Sequence, residues 1–276
     1  MTLYLVLIII IVYLVAIMPK MISRNDSALF KWIFYAHRGL YNNQSKAPEN
    51  SLSAFKLAID NIYGIELDVR LTKDNIPIVF HDASLKRACG LDKDVRDVTF
   101  SELEKLNIFD SDEKIPLFKE VMNLIDGKVP VIIELKPNGN DTLICDIVAS
   151  ILDNYKGVYC IESFNPIITY WYKKNRPHVI RGQLSTNYFE DEIKKSKLLK
   201  FLLQNLMFNF LTKPDFIAFN QKYSNMLSYK ICHSIYRIPT FAYTIESKVE
   251  LEKNRDKFDY YIFEDFIPDE YKIEKH

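Results

Sequence analysis

Ala36-His37-Arg38-Gly39, Ala47-Pro48-Glu49-Asn50-Ser51, Glu66-Leu67-Asp68-Val69, Thr72-Lys73-Asp74 and Val79-Phe80-His81-Asp82 follow one another between Tyr35 and Asp82. Two histidines, an arginine and paired acids each stand at the end of an apolar run. Chemistry that needs two proton carriers and a hard metal ion asks for this set. Imidazole titrates near neutrality, so His37 and His81 are the candidates for general acid and base. Glu66 and Asp68 lie two apart on a strand and therefore point to one face. Ile65, Leu67 and Val69 mark that strand as buried, where an unpaired carboxylate is costly. Glu134 follows Ile132 and Ile133 in a similar run and is the third acid of the set. Three carboxylates in one place repel one another unless a cation neutralises them. Oxygen-only ligation suits one Ca²⁺ or Mg²⁺ better than zinc.

Outward from this stretch, strand-like runs alternate with helical patterns. The strand candidates are 32–36, 64–69, 77–81, 130–135, 158–162, 179–184, 216–219, 239–244 and 260–263. Residues 51–62, 118–124 and 143–152 carry apolar side chains at helical spacing. Such alternation predicts a parallel sheet with crossover helices, and eight units close a TIM barrel. Nine candidates leave one irregular or outside the barrel. In that fold His37, Glu66, Asp68, His81, Glu134 and Lys136, each at a strand end, converge on one mouth. Arg38 and Lys136 are the phosphate-contact candidates, the first a planar fork and the second a point charge. Glu49 either fixes the start of the first barrel helix, orients Arg38, or acts directly. His178, His233 and His276 fall in no such pattern.

The ordered motifs resemble those of the glycerophosphodiester phosphodiesterase family: HRG, PEN, ExD, TxDG and VxxHD, then ExK in Glu134-Leu135-Lys136 and SF in Ser163-Phe164. The resemblance covers about residues 33–268. Asn75 stands where the family prefers glycine, and asparagine tolerates the left-handed backbone of a tight turn. The resemblance implies a TIM barrel with a small insertion after the third strand, at about 83–116, within a catalytic domain of 32–270. It implies metal-dependent hydrolysis of glycerophosphodiesters to an alcohol and sn-glycerol 3-phosphate. One histidine deprotonates the glycerol 2-hydroxyl, the other protonates the departing alcohol, and water then opens the cyclic phosphate. Phe164 and Tyr243 line the substrate pocket in this reading, with Tyr243 where the family usually carries tryptophan. A lysophospholipase-D-like activity on membrane lysolipids is the alternative. A non-catalytic scaffold is a third reading, and the presence of both histidines and all three acids weighs against it.

Lys plus Arg equals Asp plus Glu at 36 each, so no basic excess points to nucleic acid. Seven glycines leave no Gly-rich nucleotide loop, and 17 Tyr with 18 Phe argue against disorder. Four cysteines without CxxC spacing read as small buried hydrophobes. Residues 1–19 hold no charged side chain. No basic n-region precedes this run, so it reads as an uncleaved single-pass membrane anchor rather than a signal peptide. Lys20, Arg24 and Lys31 on its C-terminal side place the catalytic part in the cytoplasm. Residues 20–31 read as a polar linker. The very apolar stretch 198–211, after the sixth predicted strand, is expected either to border the active-site mouth and the bilayer or to pack against the outside of the barrel.

Overall fold

The computed structural model describes residues 2–21 and 28–268. Helix α1 (Thr2–Ile17) and a 3₁₀ turn (Ala28–Lys31) precede β1 (Phe34–His37), α2 (Leu52–Asp60), β2 (Gly64–Leu71) and β3 (Pro77–Val79). Short α3 (Lys86–Cys89) and α4 (Phe100–Leu103) lead to α5 (Phe118–Ile125), β4 (Val131–Leu135), α6 (Leu143–Leu152) and β5 (Tyr159–Ser163). Then come α7 (Pro166–Asn175), β6 (Arg181–Ser185), α8 (Lys197–Gln204), α9 (Asn209–Thr212) and β7 (Phe216–Asn220). The chain continues through α10 (Leu227–Lys230), a π-helical turn (Ile231–Ile235), β8 (Thr240–Ile245), α11 (Lys248–Asn254) and β9 (Tyr260–Phe263).

Eight of these strands are parallel and close into a barrel, because β1 pairs with both β2 and β9. The ninth, β3, pairs antiparallel with β2 and lies outside it. Its position is dictated by chain length. Residues 72–76 are the whole connection, and a parallel crossover needs a dozen residues or more. A hairpin is what fits, turned at Asn75 with φ +61°. The expectation that His81 ends a barrel strand is thereby corrected, since it follows β3. The inserted residues 83–116 likewise fall between the second and third barrel strands. They have their own small core with β3, built from Ile78, Leu85, Val95, Leu103 and Ile108 among others.

Strand alternation sorts side chains into two layers. Ile65, Leu67 and Val69 of β2 and Val131, Ile133 and Leu135 of β4 face the helices. Tyr35, Ile132, Cys160, Leu184, Phe216 and Phe241 fill the interior. Gly182 on β6 is needed there: a Cβ would lie 2.2 Å from the Phe216 ring. Leu29 and Phe30 belong to the same interior core, with Phe30 against Phe216, Phe241 and Tyr260. The Tyr35 hydroxyl donates to the Leu29 carbonyl at 2.8 Å. Residues 28–31 are therefore a plug for the barrel floor, not the end of a polar linker. Residues 22–27 of that linker, and the domain's end beyond 268, lie outside the described residues. Cys145, Cys160 and Cys232 are buried and Cys89 is half-buried, all as thiols.

The expected membrane span is corrected too. No helix among the described residues is long and apolar enough to cross a membrane. Helix α1 has 16 residues, about 24 Å at 1.5 Å each against roughly 30 Å of hydrocarbon. The uncharged run is longer than the helix because the barrel claims its last part. Ile17 is fully buried, and its carbonyl accepts from Asn209 Nδ2 at 3.0 Å and Cys232 Sγ at 3.5 Å. Tyr236 donates to the Leu14 carbonyl and Lys213 to the Met18 carbonyl.

Phe30→Ala is expected to lower stability by about 3–5 kcal/mol, the usual range for emptying a buried aromatic site, in chemical denaturation. A loss below about 1 kcal/mol would show that the plug does not complete the core.

Candidate active site

The barrel register assembles the acids. Asp68 on β2 is level with Glu134 on β4, and Glu134 with Glu162 on β5. His37 on β1 is level with Glu66. Glu66, Asp68 and Glu134 are all buried and offer one oxygen each, all within 4.8 Å of one another. Lys136 Nζ lies 2.8 Å from Glu134 Oε1 and 3.1 Å from Asp68 Oδ1. Asn50 Nδ2 donates to Asp68 Oδ2 at 2.8 Å. Burial opposes charge on Asp68, but Lys136, His81 and Arg38 outweigh it and hold the carboxyl well below its usual range. Burial and the neighbouring Asp68, Glu134 and Glu162 push Glu66 well above it. Three carboxylate oxygens this close to one another fit a hard divalent ion.

Both histidines are held by carboxylates. His37 Nδ1 lies 2.5 Å from Glu264 Oε2, which also accepts from the Tyr41 hydroxyl at 2.8 Å. An ionised carboxylate only accepts, so Nδ1 carries the proton and Nε2 is left for chemistry. That Nε2 is 3.8 Å from Glu66 Oε2. His81 repeats the arrangement, with Nδ1 2.6 Å from Asp82 Oδ1. Its backbone is fixed against β2. Phe80 N–H donates to the Asp68 carbonyl at 2.9 Å, and Arg70 Nε donates to the His81 carbonyl at 2.8 Å. Although His81 lies off the barrel strands, these bonds bring it to Asp68 and so to the same mouth.

Arg38 sits at φ +56° and Gly39 at φ +84°. A Cβ on Gly39 would lie 2.9 Å from the Ala54 backbone, so only glycine lets this turn close on α2. The turn aims Arg38 N–H at Glu66 Oε2, 3.1 Å away. Arg38 Nη1 donates to Glu49 Oε1 at 2.9 Å, while its buried Nε makes no hydrogen bond. Glu49 also receives Arg87 Nη1 at 3.0 Å. Arg87 comes from the insertion and donates through Nε to Asp82 Oδ2 at 2.6 Å. Glu49 thus accepts from two arginines, Arg38 and Arg87. Helix α2 is started by Ser51, whose Oγ accepts from Ala54 N–H at 3.1 Å.

Phe164 and Tyr243 stand edge to face at 5.9 Å, with the Tyr243 hydroxyl donating to the Ser185 carbonyl. Phe164 lines a cavity of about 760 Å³ together with Glu134 and Lys136. A second cleft, about 580 Å³, is lined by Arg70, His81, Asp82, Lys86 and Arg87. The structure thus gathers His37, Arg38, Glu49, Glu66, Asp68, His81, Glu134 and Lys136 into one network, with Phe164 at the side of it. Sequence reasoning missed Asn50, Asp82, Arg87, Glu162 and Glu264 as members. Asp82 and Asn50 lay inside quoted motifs, and Glu264 directly follows the last strand. Arg87 had no local signal. Glu162 showed one sign, an acid at the end of an apolar strand. It is buried, its Oε2 makes no hydrogen bond, and burial with nearby Glu134 raises its carboxyl well above the usual range.

A family model described as the glycerophosphoryl diester phosphodiesterase family matches residues 37–187. A glycerophosphodiester phosphodiesterase of Caldanaerobacter subterraneus is 35% identical over 169 residues, 56% of this chain and 67% of that protein. Lysophospholipase D GDPD1 of Rattus norvegicus is 28% identical over 173 residues, 57% of this chain and 53% of that one. The chain thus spans between about half and two thirds of these relatives' lengths. A glycerophosphodiester phosphodiesterase structure from Thermotoga maritima superposes with TM-score 0.64 at 28% identity, covering 84% of this chain and 94% of that one. An Oleispira antarctica phosphodiesterase, solved with its product sn-glycerol-3-phosphate, shares the fold at TM-score 0.68 and 23% identity, covering 85% of this chain and 93% of that one.

Glu264→Gln keeps the shape beside His37 and removes the charge. Turnover is expected to drop at least tenfold, part of the roughly 100-fold or more that a positioned acid or base contributes. Burial opposes the Glu264 charge, but His37 and Tyr41 hold the carboxyl down at about 2, against roughly 4.3 when unfolded. Folding therefore favours the ionised form. Its stabilising contribution is full above about pH 5 and fades as pH falls towards 2. The stability gap between wild type and variant, read by chemical denaturation, should narrow from about pH 5 to pH 3. A gap that widens on acidification contradicts this.

Proposed function

We propose that this chain, which belongs to the glycerophosphoryl diester phosphodiesterase family, hydrolyses glycerophosphodiesters to an alcohol and sn-glycerol 3-phosphate by two-histidine acid–base catalysis. The observation that carries the reading is the pair of imidazoles, each with Nδ1 fixed on a carboxylate, flanking one set of buried acids. A divalent cation on Glu66, Asp68 and Glu134 would supply Lewis-acid charge for a phosphoryl oxygen and the glycerol hydroxyls. Ca²⁺ and Mg²⁺ both suit three carboxylates.

The side chains account for the rest. Arg38, held by Glu49, and Lys136, held between Asp68 and Glu134, present fixed positive charge to the phosphate. One imidazole takes the proton of the glycerol 2-hydroxyl as its oxygen bonds to phosphorus. The bond from phosphorus to the alcohol oxygen breaks, and the other imidazole protonates that oxygen. With the roles exchanged, the second imidazole takes a proton from water as the water oxygen bonds to phosphorus. The bond from phosphorus to the glycerol 2-oxygen breaks, the first imidazole protonates that oxygen, and both histidines are restored. A lysophospholipase-D-like reading, with a lysolipid as the diester, is favoured by the apolar cavity that adjoins Glu134.

Apolar residues of α1 from Leu3 to Val12 are exposed on every side of the helix, and a helix apolar all round calls for apolar surroundings. We place the enzyme at a lipid surface, with α1 entering the bilayer without crossing it. The Ile8→Lys, Ile11→Lys double variant should lose flotation with liposomes and keep its thermal stability. Equal flotation would remove this part of the proposal.

His37→Ala and His81→Ala should each lower turnover on a panel of glycerophosphodiesters by about a hundredfold or more. The panel should include glycerophosphocholine and a lysolipid. Near-normal turnover in either variant removes that histidine from the mechanism.

A further inference from the structure

Arg70 is a cation at the barrel mouth to which the proposed reaction gives no part. It stands two residues beyond Asp68 on β2 and four beyond Glu66, so the three side chains share one face of the strand. Val69 is level with Leu135, and the Lys136 N–H donates to the Val69 carbonyl at 3.1 Å. Arg70 and Lys136 therefore follow Asp68 and Glu134 side by side, a layer of two cations on the mouth side of the acids. The other cations nearby are already paired. Arg38 is tied to Glu49, Arg87 to Glu49 and Asp82, and Lys136 to Asp68 and Glu134. Among the described residues Arg70 makes no ion pair, and its one hydrogen bond runs from Nε to the His81 carbonyl at 2.8 Å. We propose that the two Nη groups of Arg70 bind the phosphate of the diester, as a third phosphate-binding residue beside Arg38 and Lys136. The proposal rests on the phosphodiester reading above and deepens it.

Position and shape both suit that role. Arg70 is half-buried and lines two spaces, the cavity with Glu134 and Lys136 and the cleft with His81 and Asp82. No other residue lines both. A phosphate that meets Lys136 on one side and exchanges a proton with His81 on the other lies against Arg70. A guanidinium is planar, so the bond from Nε to the His81 carbonyl also sets the plane of the Nη groups. That leaves the Nη edge, a rigid fork of N–H donors, for an oxyanion whose oxygens match it in pairs. Half-burying such a group costs hydration that one neutral acceptor does not return. Propping the His81 carbonyl alone needs one donor and no charge, which a glutamine amide supplies.

Arg70→Gln separates the two roles, because it keeps a donor for His81 and removes the charge and the fork. Calorimetry would follow binding of sn-glycerol 3-phosphate and of inorganic phosphate, each with the protein loaded with whichever of Mg²⁺ and Ca²⁺ it binds more tightly. Binding of that cation alone would be measured on the same samples. Both anions are expected to bind the variant about ten- to a hundredfold more weakly, the usual worth of a hydrogen bond to a charged group. The cation should bind as tightly as in wild type or more tightly, since a positive neighbour has gone. Unchanged anion binding overturns the proposal. Equal weakening of anions and cation overturns it too, because that marks damage to the whole site. Should Arg70→Gln not fold, Arg70→Lys decides, since it keeps the charge without the fork. Weaker anion binding at unchanged cation binding is expected there, and anion binding equal to wild type contradicts the fork. If no diester is cleaved while the anions still depend on Arg70, the hydrolytic reading fails and the phosphate contact stands. If glycerophosphocholine is cleaved and the variants bind both anions as wild type does, the phosphate contact fails alone.

Discussion

Four carboxylates buried in one barrel mouth set the terms for everything around them. Glu66, Asp68, Glu134 and Glu162 come from adjacent strands with their side chains on the same face. Charges this close in a poorly solvated place repel strongly and lose hydration as well. The fold answers with Lys136 between Asp68 and Glu134, with Arg38 over Asp68, and with Asn50 on the free side of Asp68. These partners are unevenly shared. Asp68 is held ionised, whereas burial pushes Glu66 and Glu162 upward. A barrel interior does not collect such groups for stability. Apolar residues of the same volume would pack there at lower cost, as they do one layer below around Tyr35, Ile132 and Phe241.

The same economy of placement governs the histidines. Each ring would rotate freely at a strand end, and each is fixed by a carboxylate on Nδ1. Those carboxylates reach the rings differently: Glu264 follows the last strand, far in sequence from His37, whereas Asp82 is the residue after His81 and directly precedes the insertion. Arg87, within the insertion, ties Asp82 to Glu49, and Glu49 ties Arg38. The inserted residues are thus wired to the site by a chain of ion pairs, and His81 owes its position to them as much as to the barrel.

Much of this was legible in the sequence because strand periodicity and short motifs are local signals. Glu66-Leu67-Asp68 could only present both acids to one face, and Ile132 to Leu135 could only be a buried strand. Eight of nine strand candidates became the barrel, and the odd one could have been identified. Residues 72–76 are too few for a crossover, so β3 had to fold back as a hairpin. Long-range partners were not legible. Nothing near Arg87 or Glu264 announces a bond to Glu49 or His37, since those contacts exist only after the barrel closes. The N-terminal run misled for a related reason. Its hydropathy reported an apolar helix, but the burial of Ile17 against Asn209 and Cys232 shortens the part that stays exposed.

The central claim is that the carboxylate trio exists to hold one divalent cation on which turnover depends. The most direct measurement is metal binding and activity on the same sample. Metal-stripped wild-type protein would be titrated with Mg²⁺ and with Ca²⁺ in a calorimeter, and hydrolysis of glycerophosphocholine followed at each point. One ion per chain is expected for at least one of the two metals, with activity absent at the start and rising in step with occupancy. Glu66→Gln should weaken both together while the fold persists. Full turnover by the stripped protein in excess chelator would contradict the account.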